Sequence, residues 1–224
     1  IQKQVIDYVG GMRDIKKHVL RPVIDIDKIF VEDPVRMLRA IKYSATTHAK
    51  MSFSLRHKIR QSAILLSQIS PSRLTEEMLK IINSGHAFEI IKEALDTDLY
   101  MYLQPAATAM IYNDKNAEKS YMENIAKLDE LVKNDSNVRL GKKLYFLVYD
   151  FIKSLTDWSK EVQGQYSSYE LYTKTWTECR NFVLPMNPQR KELEYAIKSV
   201  LSSFGVKIKT NKPKEPKPKD SKQK

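Results

Sequence analysis

Acidic and basic side chains recur at helical spacing in the stretch EDPVRMLRAIKY. Asp33 suits the N-cap of a helix and Pro34 suits its first position. Arg36 and Arg39 are three residues apart, so they lie near one helix face, and Lys42 continues that face. A carboxylate accepts hydrogen bonds and a guanidinium donates them in a fixed plane, so Asp33 and Arg36 together could match the edge of a base. The simpler interpretation is a capped helix in which Arg36 pairs with Asp33.

A second candidate is a glycine pair flanked by two acids, in the stretch VIDYVGGMRD. The β-branched residues 5–9 predict a strand, and Gly10 and Gly11 predict a turn that lets the backbone pass close to a neighbour or ligand. Asp7 and Asp14 could accept hydrogen bonds from backbone N–H groups or from a basic side chain. A tight turn with solvated acids explains the same residues.

The third candidate lies in SPSRLTEEMLK, where Arg73 and Glu77 stand four residues apart. Such a pair is ordinarily a surface ion pair within one helix and contributes about 0.3–0.5 kcal/mol. The alternative is that these residues brace the helix of Arg36 and orient its arginines. Spacing alone favours the ordinary pair.

The sequence predicts helices around most of these residues, and hence a mainly α protein. Only six glycines occur among 224 residues, and lysine, leucine and isoleucine are abundant, which favours helix. Apolar spacing and three cap-then-proline starts define the helices. The first begins at Asp33, and the others cover about residues 54–66, 70–85, 87–96, 119–133, 138–155, 166–183 and 188–203. Residues 22–31 are predicted to be an extended connection and residues 113–118 a loop.

A formal net charge of +11 suggests a polyanionic partner, and nucleic acid is the usual one. The eight lysines and two acids of residues 207–224 contribute +6 of that charge, which leaves +5 for the rest. This lysine–proline tail cannot bury apolar surface, so we expect disorder. Lys207, Lys209, Lys212 and Lys214 are candidates for phosphate contacts. A solubility tail is the simpler explanation.

Several classes of protein are disfavoured by the sequence. The single cysteine cannot form an internal disulfide and fits a reducing compartment. No apolar stretch approaches the ~20 residues that span a bilayer. The histidines show no metal-ligand spacing, and no HEXXH, P-loop or Ser-His-Asp pattern occurs. The sequence lacks an initiating Met and starts inside a predicted strand, so we expect a fragment that lacks the N-terminal part of its protein.

Three stretches in order resemble one family closely. VIDYVGGMRDIKKHVLR, FVEDPVRMLRAIKYSA and ISPSRLTEEMLKIINSG are similar to the later motifs of the bacterial tRNA nucleotidyltransferase/poly(A) polymerase family. The resemblance covers roughly residues 5–95, and VLPMNPQRKELEYAI resembles a later helix start more weakly. The segments DYVGGMRD and EDPVRMLRA resemble the poly(A) polymerase branch of the family more than its CCA-adding branch.

The resemblance implies transfer of a nucleotide from a nucleoside triphosphate to an RNA 3′ hydroxyl, with two divalent metal ions. It places the Glu-Asp-x-x-Arg motif at Glu32, Asp33 and Arg36, whose Asp and Arg hydrogen-bond the incoming base, and it places Arg39 near the nucleotide. Two further groups support these residues. They are Arg73 and Glu77 of the helical neck, and Asp7, Gly10, Gly11 and Asp14 of the last motif of the head.

The implied organisation is a short α/β remnant of the nucleotidyltransferase head (1–31), a helical neck (32–104), a helical body (105–204) and a disordered basic tail (205–224). The resemblance also implies a metal-binding Asp-x-Asp pair, which in the family comes before the motifs found here, so we expect it to precede residue 1. Mg²⁺ ligands therefore lie outside this chain, no catalytic residue lies within it, and we expect it to be inactive alone.

We expect part of a cytoplasmic, monomeric adenylyltransferase that uses ATP, binds RNA at 3′ ends and contacts no membrane. Lys42 joins the tail lysines as a candidate RNA contact. Two alternatives stay open. One is a CCA-adding enzyme, and the other is a non-catalytic RNA-binding module.

Overall fold

Helices account for nearly all the regular structure in the computed structural model, which describes residues 5–159, 164–206 and 208. The mainly α class predicted from the sequence is confirmed. In chain order the elements are α1 (Gly11–Lys17), β1 (Val19–Leu20), α2 (Ile29–Glu32), α3 (Val35–Thr47), β2 (Lys50–Met51), α4 (Phe53–Ser62) continued by a 3₁₀ helix (Ala63–Gln68), α5 (Pro71–Ile82), α6 (Ala87–Asp96), α7 (Tyr100–Leu103), α8 (Pro105–Asn113), α9 (Lys115–Asn134), α10 (Leu140–Ser154), α11 (Ser168–Phe182) and α12 (Arg190–Ser203).

Local signals fix the start of α5, the helix that carries Arg73. The Ser70 hydroxyl accepts a hydrogen bond from the Arg73 N–H at 3.4 Å, and Pro71 occupies the first turn. Leu74 and Met78 lie one turn apart and are buried. The apolar face of α5 therefore packs into the core, and its first turn stays at the surface.

The start of α6 is capped from a distant helix. The Asp129 carboxylate of α9 accepts hydrogen bonds from the Ala87 N–H at 2.7 Å and the Phe88 N–H at 2.8 Å. These amides have no partner within α6, and a negative charge is favourable at a helix N-terminus. Asp129 thus fixes α6 against α9.

The last helices return to the earlier part of the chain. One cluster of buried apolar side chains runs from α2 to the end of α12. The Thr75 hydroxyl accepts a hydrogen bond from the Asn187 N–H at 3.1 Å, and the Gln104 amide donates to the Val183 carbonyl at 3.1 Å. Polar bonds therefore join the same two parts of the chain that share the core.

Helices α10 and α12 approach closely at Gly141. The Glu192 carboxylate of α12 accepts hydrogen bonds from the Gly141 N–H at 2.8 Å and from Arg139 Nε at 2.8 Å. The Arg139 guanidinium lies over the Tyr195 ring at 4.2 Å. A side chain at position 141 would overlap α12, so the contact requires glycine.

The predicted strand at residues 5–9 is wrong. These residues have no regular secondary structure, and the one sheet among the described residues pairs β1 with β2 in parallel. A strand needs a neighbour for its ladder of hydrogen bonds, and no described segment supplies one here. The apolar side chains of Val5, Ile6 and Tyr8 are exposed.

Three further boundaries differ from prediction. Residues 113–118 are not a loop, because α9 follows α8 after Asp114 alone, whose carboxylate caps α9 by accepting from the Asn116 N–H at 2.8 Å. The connection at 22–31 contains most of the helical turn α2. The last helix begins at Arg190, since the Asn187 side chain accepts from Arg180 instead of capping it. None of the described helices is long and apolar enough to cross a bilayer.

Candidate functional site

Asp33 stands between α2 and α3 and joins two arginines from different helices. Its Oδ1 accepts a hydrogen bond from Arg73 Nη2 of α5 at 2.8 Å, and its Oδ2 lies 3.6 Å from Arg39 Nη1 of α3. Oδ1 also accepts from the Val35 N–H at 3.3 Å, at the start of α3. The carboxylate is largely shielded, with 18% of the side chain exposed. Asp33, Arg39 and Arg73 are called the Asp33 cluster below.

Arg36 does not pair with Asp33, contrary to the simpler interpretation of the sequence. Its Nη1 donates to Glu32 Oε2 at 2.9 Å and to the Ile29 carbonyl at 3.3 Å. The reason is the extended backbone of Asp33, with φ −149° and ψ 95°, which places its carboxylate against α5 while Arg36 reaches back along α2. Glu32 therefore holds Arg36 beside the Asp33 cluster.

The predicted pair between Arg73 and Glu77 is also wrong. Glu77 is buried, with 4% of its side chain exposed, and accepts from Lys80 Nζ at 2.7 Å. Arg73 reaches Asp33, 40 residues earlier in the chain. Arg73 therefore braces the start of α3, as the alternative allowed, whereas Glu77 pairs with Lys80 of its own helix.

The guanidinium donors of the cluster and of the neighbouring Arg36 remain accessible. The side chains of Arg36, Arg39 and Arg73 are 31%, 42% and 44% exposed. One carboxylate acceptor beside guanidinium donors can recognise a planar group that carries both an acceptor and a donor. Lys42 lies further along α3, with its Nζ 5.0 Å from the centre of the Tyr43 ring. Tyr43 is a neighbour that the sequence reasoning did not single out.

The glycine pair is organised by its flanking acids. The Asp7 carboxylate accepts hydrogen bonds from the N–H groups of Met12 and Gly11, both at 2.9 Å, and these bonds hold the Asp7 pKa below its usual value. Gly10 has φ +78°, a conformation that favours glycine, and Gly11 begins α1.

Asp14 takes part in the same turn through a basic side chain. It lies 2.8 Å from Arg21 Nη2, which also donates to the Val9 carbonyl at 2.6 Å. Both bonding modes that the sequence allowed for the two acids therefore occur. Sequence reasoning did not identify Arg21 as the partner of Asp14, although this basic residue lies only seven positions further along the chain.

Apolar side chains crowd the surface of the N-terminal segment. Between residues 5 and 31 they include Val5, Ile6, Tyr8, Val9, Met12, Ile15, Val19, Val23, Ile24 and Val31, all more than one third exposed. We call this the N-terminal apolar surface. Where exposed apolar side chains form one continuous patch, such a patch is typical of a binding surface.

A metal site does not form in the part of the chain that the structure describes. No group of three or more His, Cys, Asp or Glu side chains there is placed to hold an ion. The described residues therefore do not fit the two-metal centre that the resemblance implies for the whole enzyme. The predicted tail contacts Lys207, Lys209, Lys212 and Lys214 lie outside the described residues.

A family model matches the region that follows α3. Residues 50–111 match the segment described as "Probable RNA and SrmB- binding site of polymerase A". This range holds β2, α4 to α7 and most of α8, and it includes Arg73 but not Asp33.

Curated relatives extend the comparison. The chain is 37% identical over 133 residues to poly(A) polymerase I of Salmonella typhi, which is 59% of the chain and 28% of that protein. It is 38% identical over 130 residues to poly(A) polymerase I of Escherichia coli O157:H7, 58% of the chain and 27% of that protein. The CCA-adding enzyme of Lactobacillus helveticus is 32% identical over 96 residues, 43% of the chain and 24% of that enzyme.

These matches confirm the resemblance to the tRNA nucleotidyltransferase/poly(A) polymerase family. The matched part of the chain spans little more than a quarter of its poly(A) polymerase relatives. Among solved structures, a tRNA-processing enzyme in apo form is 18% identical with a TM-score of 0.42, covering 89% of this chain and 57% of that one. A tRNA-processing enzyme with CTP is 18% identical with a TM-score of 0.43, covering 93% and 64%.

Proposed function

We propose that the chain is the neck (32–104) and body (105–204) of a polynucleotide adenylyltransferase, which adds AMP from ATP to RNA 3′ ends. The observation that carries the proposal is the Asp33 cluster, built in a chain that is 37% identical to a poly(A) polymerase I. The match of residues 50–111 to an RNA-binding segment supports RNA as the second substrate.

The chemistry of the site follows from donors and acceptors. Adenine presents an amino donor next to ring-nitrogen acceptors. The Asp33 carboxylate accepts from the amino group, and the Arg36 guanidinium donates to a ring nitrogen. Arg73 and Arg39 hold the carboxylate in place and stabilise its charge in a shielded position. Lys42 lies on α3 with Arg36 and contacts a phosphate group.

The reaction itself needs groups from outside these residues. A divalent cation such as Mg²⁺ neutralises the charge that develops on the transferred phosphoryl group. The described residues offer no site for it. Residues 1–31 form the end of a nucleotidyltransferase head that carries the metal-binding carboxylates, and the N-terminal apolar surface packs against the rest of that head.

Incorporation of labelled nucleotides by the complete protein tests the function. We expect ATP to extend an oligo(A) primer, with no CTP added to tRNA that lacks its CCA end. CTP addition to that tRNA would identify a CCA-adding enzyme instead. RNA binding without any incorporation would identify a non-catalytic RNA-binding module.

The isolated chain of 224 residues should bind ATP but incorporate none of it. Adenylate incorporation by the isolated chain, lost on Asp33→Ala, would show that its own residues catalyse the reaction.

Replacing Arg36 tests base recognition in the complete protein. Arg36→Ala should reduce the preference for ATP by about 1–3 kcal/mol, roughly 5- to 150-fold, because a paired hydrogen bond to the base is lost. RNA affinity should change little. Arg60→Ala is the matched control, since it removes an exposed arginine that pairs with Asp98 away from the Asp33 cluster. An equal loss for all four triphosphates would contradict a base-reading role.

The basic tail is proposed to add RNA affinity that does not depend on sequence. Residues 207–224 carry a charge of +6. Each phosphate contact to single-stranded RNA contributes about 0.7 to the slope of log affinity against log salt. Truncation after Gly205 should therefore lower both affinity and slope. An unchanged slope would assign the tail to solubility.

A further inference from the structure

An open cavity of about 480 Å³ lies between the end of α8, the start of α9 and the end of α10. Its lining includes Asp150 of α10 and Ser120 of α9, while Met110 and Ala117 add apolar wall and exposed polar side chains form the rim. No residue of the Asp33 cluster lines it. The volume falls in the range of small-molecule sites, about 300–1,000 Å³. We call it the Asp150 cavity.

The Asp150 carboxylate is buried but is hydrogen-bonded only by neutral groups. Asp150 is 7% exposed. Its Oδ1 accepts from the Ser120 hydroxyl at 2.6 Å, and its Oδ2 accepts from the Asn124 amide at 2.7 Å. Among residues 5–159, 164–206 and 208, no Lys, Arg or His nitrogen lies within 4.0 Å of it. Because a carboxylate loses hydration on burial, a nearby cation is favourable there. The cavity therefore presents a negative charge that this part of the chain does not neutralise.

Lys153 is the basic side chain in the lining of the cavity, but it stands at the rim. It follows Asp150 by three residues on α10 and is exposed. An exposed ion pair at this spacing contributes little, because both groups lose solvation and side-chain freedom when they pair. Lys153 is therefore a weak competitor for a cation that enters the cavity. The chain carries a net charge of +11, so its overall field does not attract cations, and only the local carboxylate can hold one.

We propose that the Asp150 cavity binds a small alkyl amine, with the ammonium group on the Asp150 carboxylate and the alkyl chain against Met110 and Ala117. An ammonium is a compact donor, so it can use the lone pair that remains on either carboxylate oxygen. The planar fork of a guanidinium needs both oxygens together, and Ser120 and Asn124 already donate to them. The class of ligand includes the polyamines. This inference is independent of the proposed adenylate transfer.

The first test is isothermal titration calorimetry of the 224-residue chain with n-butylammonium chloride at constant ionic strength. We expect saturable binding of one molecule per chain. n-Butanol has the same alkyl chain without the charge, and it should bind about 30-fold more weakly or worse, since losing one partner of a buried charge pair has at least this effect. Tetramethylammonium carries the charge without an N–H donor and should also bind more weakly.

Variants locate the ligand within the cavity. Asp150→Asn should weaken n-butylammonium binding about 30-fold or more, for the same reason. Ala117→Leu should fill the cavity while leaving the hydrogen bonds of Asp150 intact, so it decides the question if Asp150→Asn does not fold. Lys153→Met should strengthen binding, because it removes the competing ammonium from the rim. Asp96→Asn is the matched control, since it removes an exposed carboxylate of α6 that does not line the cavity, and it should change nothing. Far-UV circular dichroism checks that each variant is folded.

Three results would overturn the proposal. Absence of n-butylammonium binding to the wild-type chain would leave Asp150 as a structural acceptor for Ser120 and Asn124. Equal affinity for n-butanol would show that the carboxylate plays no part. Unchanged binding in folded Asp150→Asn or Ala117→Leu would place the amine elsewhere on the chain. Adenylate incorporation is measured separately, so its failure and the failure of this site are distinguishable.

Discussion

Replacing Gly141 by alanine should destabilise the fold by about 2 kcal/mol. The added Cβ would lie 2.7 Å from Tyr195 Cδ1 and 2.9 Å from the Glu192 carbonyl oxygen. The second contact is with backbone of α12, so no rotamer change relieves it, and α10 must shift away from α12. Overpacking of this kind costs about 3 kcal/mol at its upper end. The better helix propensity of alanine recovers at most about 1 kcal/mol.

Thermal unfolding followed by circular dichroism measures this effect. A loss of about 2 kcal/mol corresponds to a fall in Tm of roughly 4–8 °C for a chain of this size. Gly164→Ala is the matched control, because its Cβ would meet nothing within 4 Å, and it should change stability by less than about 0.5 kcal/mol. Tyr195→Ala should recover part of the loss in a double variant. An unchanged Tm for Gly141→Ala would refute the close approach of α10 and α12.

Three more predictions concern buried or bonded groups. Hydrogen bonds from Arg139 lower the pKa of Glu192, so its contribution is present above about pH 4.5 and is lost as pH falls through the folded pKa. Urea titrations should therefore show a smaller fall in unfolding free energy between pH 5 and pH 3 for Glu192→Gln than for the wild type, and parallel curves would contradict this. Burial raises the pKa of Cys179, so iodoacetamide should label it only in urea, and rapid labelling of the native chain would show an accessible thiol. Asp129→Ala should cost about 1.5–3 kcal/mol and speed hydrogen exchange at amides 87–88, whereas slow exchange there would mean that another group caps α6.

Much of the helical framework could be predicted because its signals are local. Ser70 caps α5 and Pro71 begins it, as the sequence predicts, and α6 matches the predicted range 87–96. Loop composition misled the prediction at residues 113–118, since one capping aspartate separates two helices there. The range 5–9 failed for a different reason: a strand depends on a partner that its own residues do not specify.

The sequence identified the residues of the candidate site but not which of them bond to each other. The Glu-Asp-x-x-Arg spacing drew attention to Asp33 and Arg36, but the structure pairs Arg36 with Glu32 and pairs Asp33 with Arg73. Spacing assigned Arg73 to Glu77, because both lie on one helix. The actual partner of Arg73 depends on how α5 packs against α3, across 40 residues of sequence. Burial accounts for the choice of partner, because the Glu77 side chain is buried, whereas the Asp33 carboxylate is close enough for Arg73 to bond it.

The hydrogen bond from the Asn187 N–H to the Thr75 hydroxyl joins groups 112 residues apart. A ribosome that adds about 5–20 residues per second needs roughly 6–22 s to synthesise the chain between them. During that time α5 lacks the segment that completes its surroundings in the native protein. The nascent chain must therefore keep α5 in an unfinished environment until the last helices emerge. In that interval the part of α5 that later contacts the Asn187 segment stays exposed to other molecules in the cell.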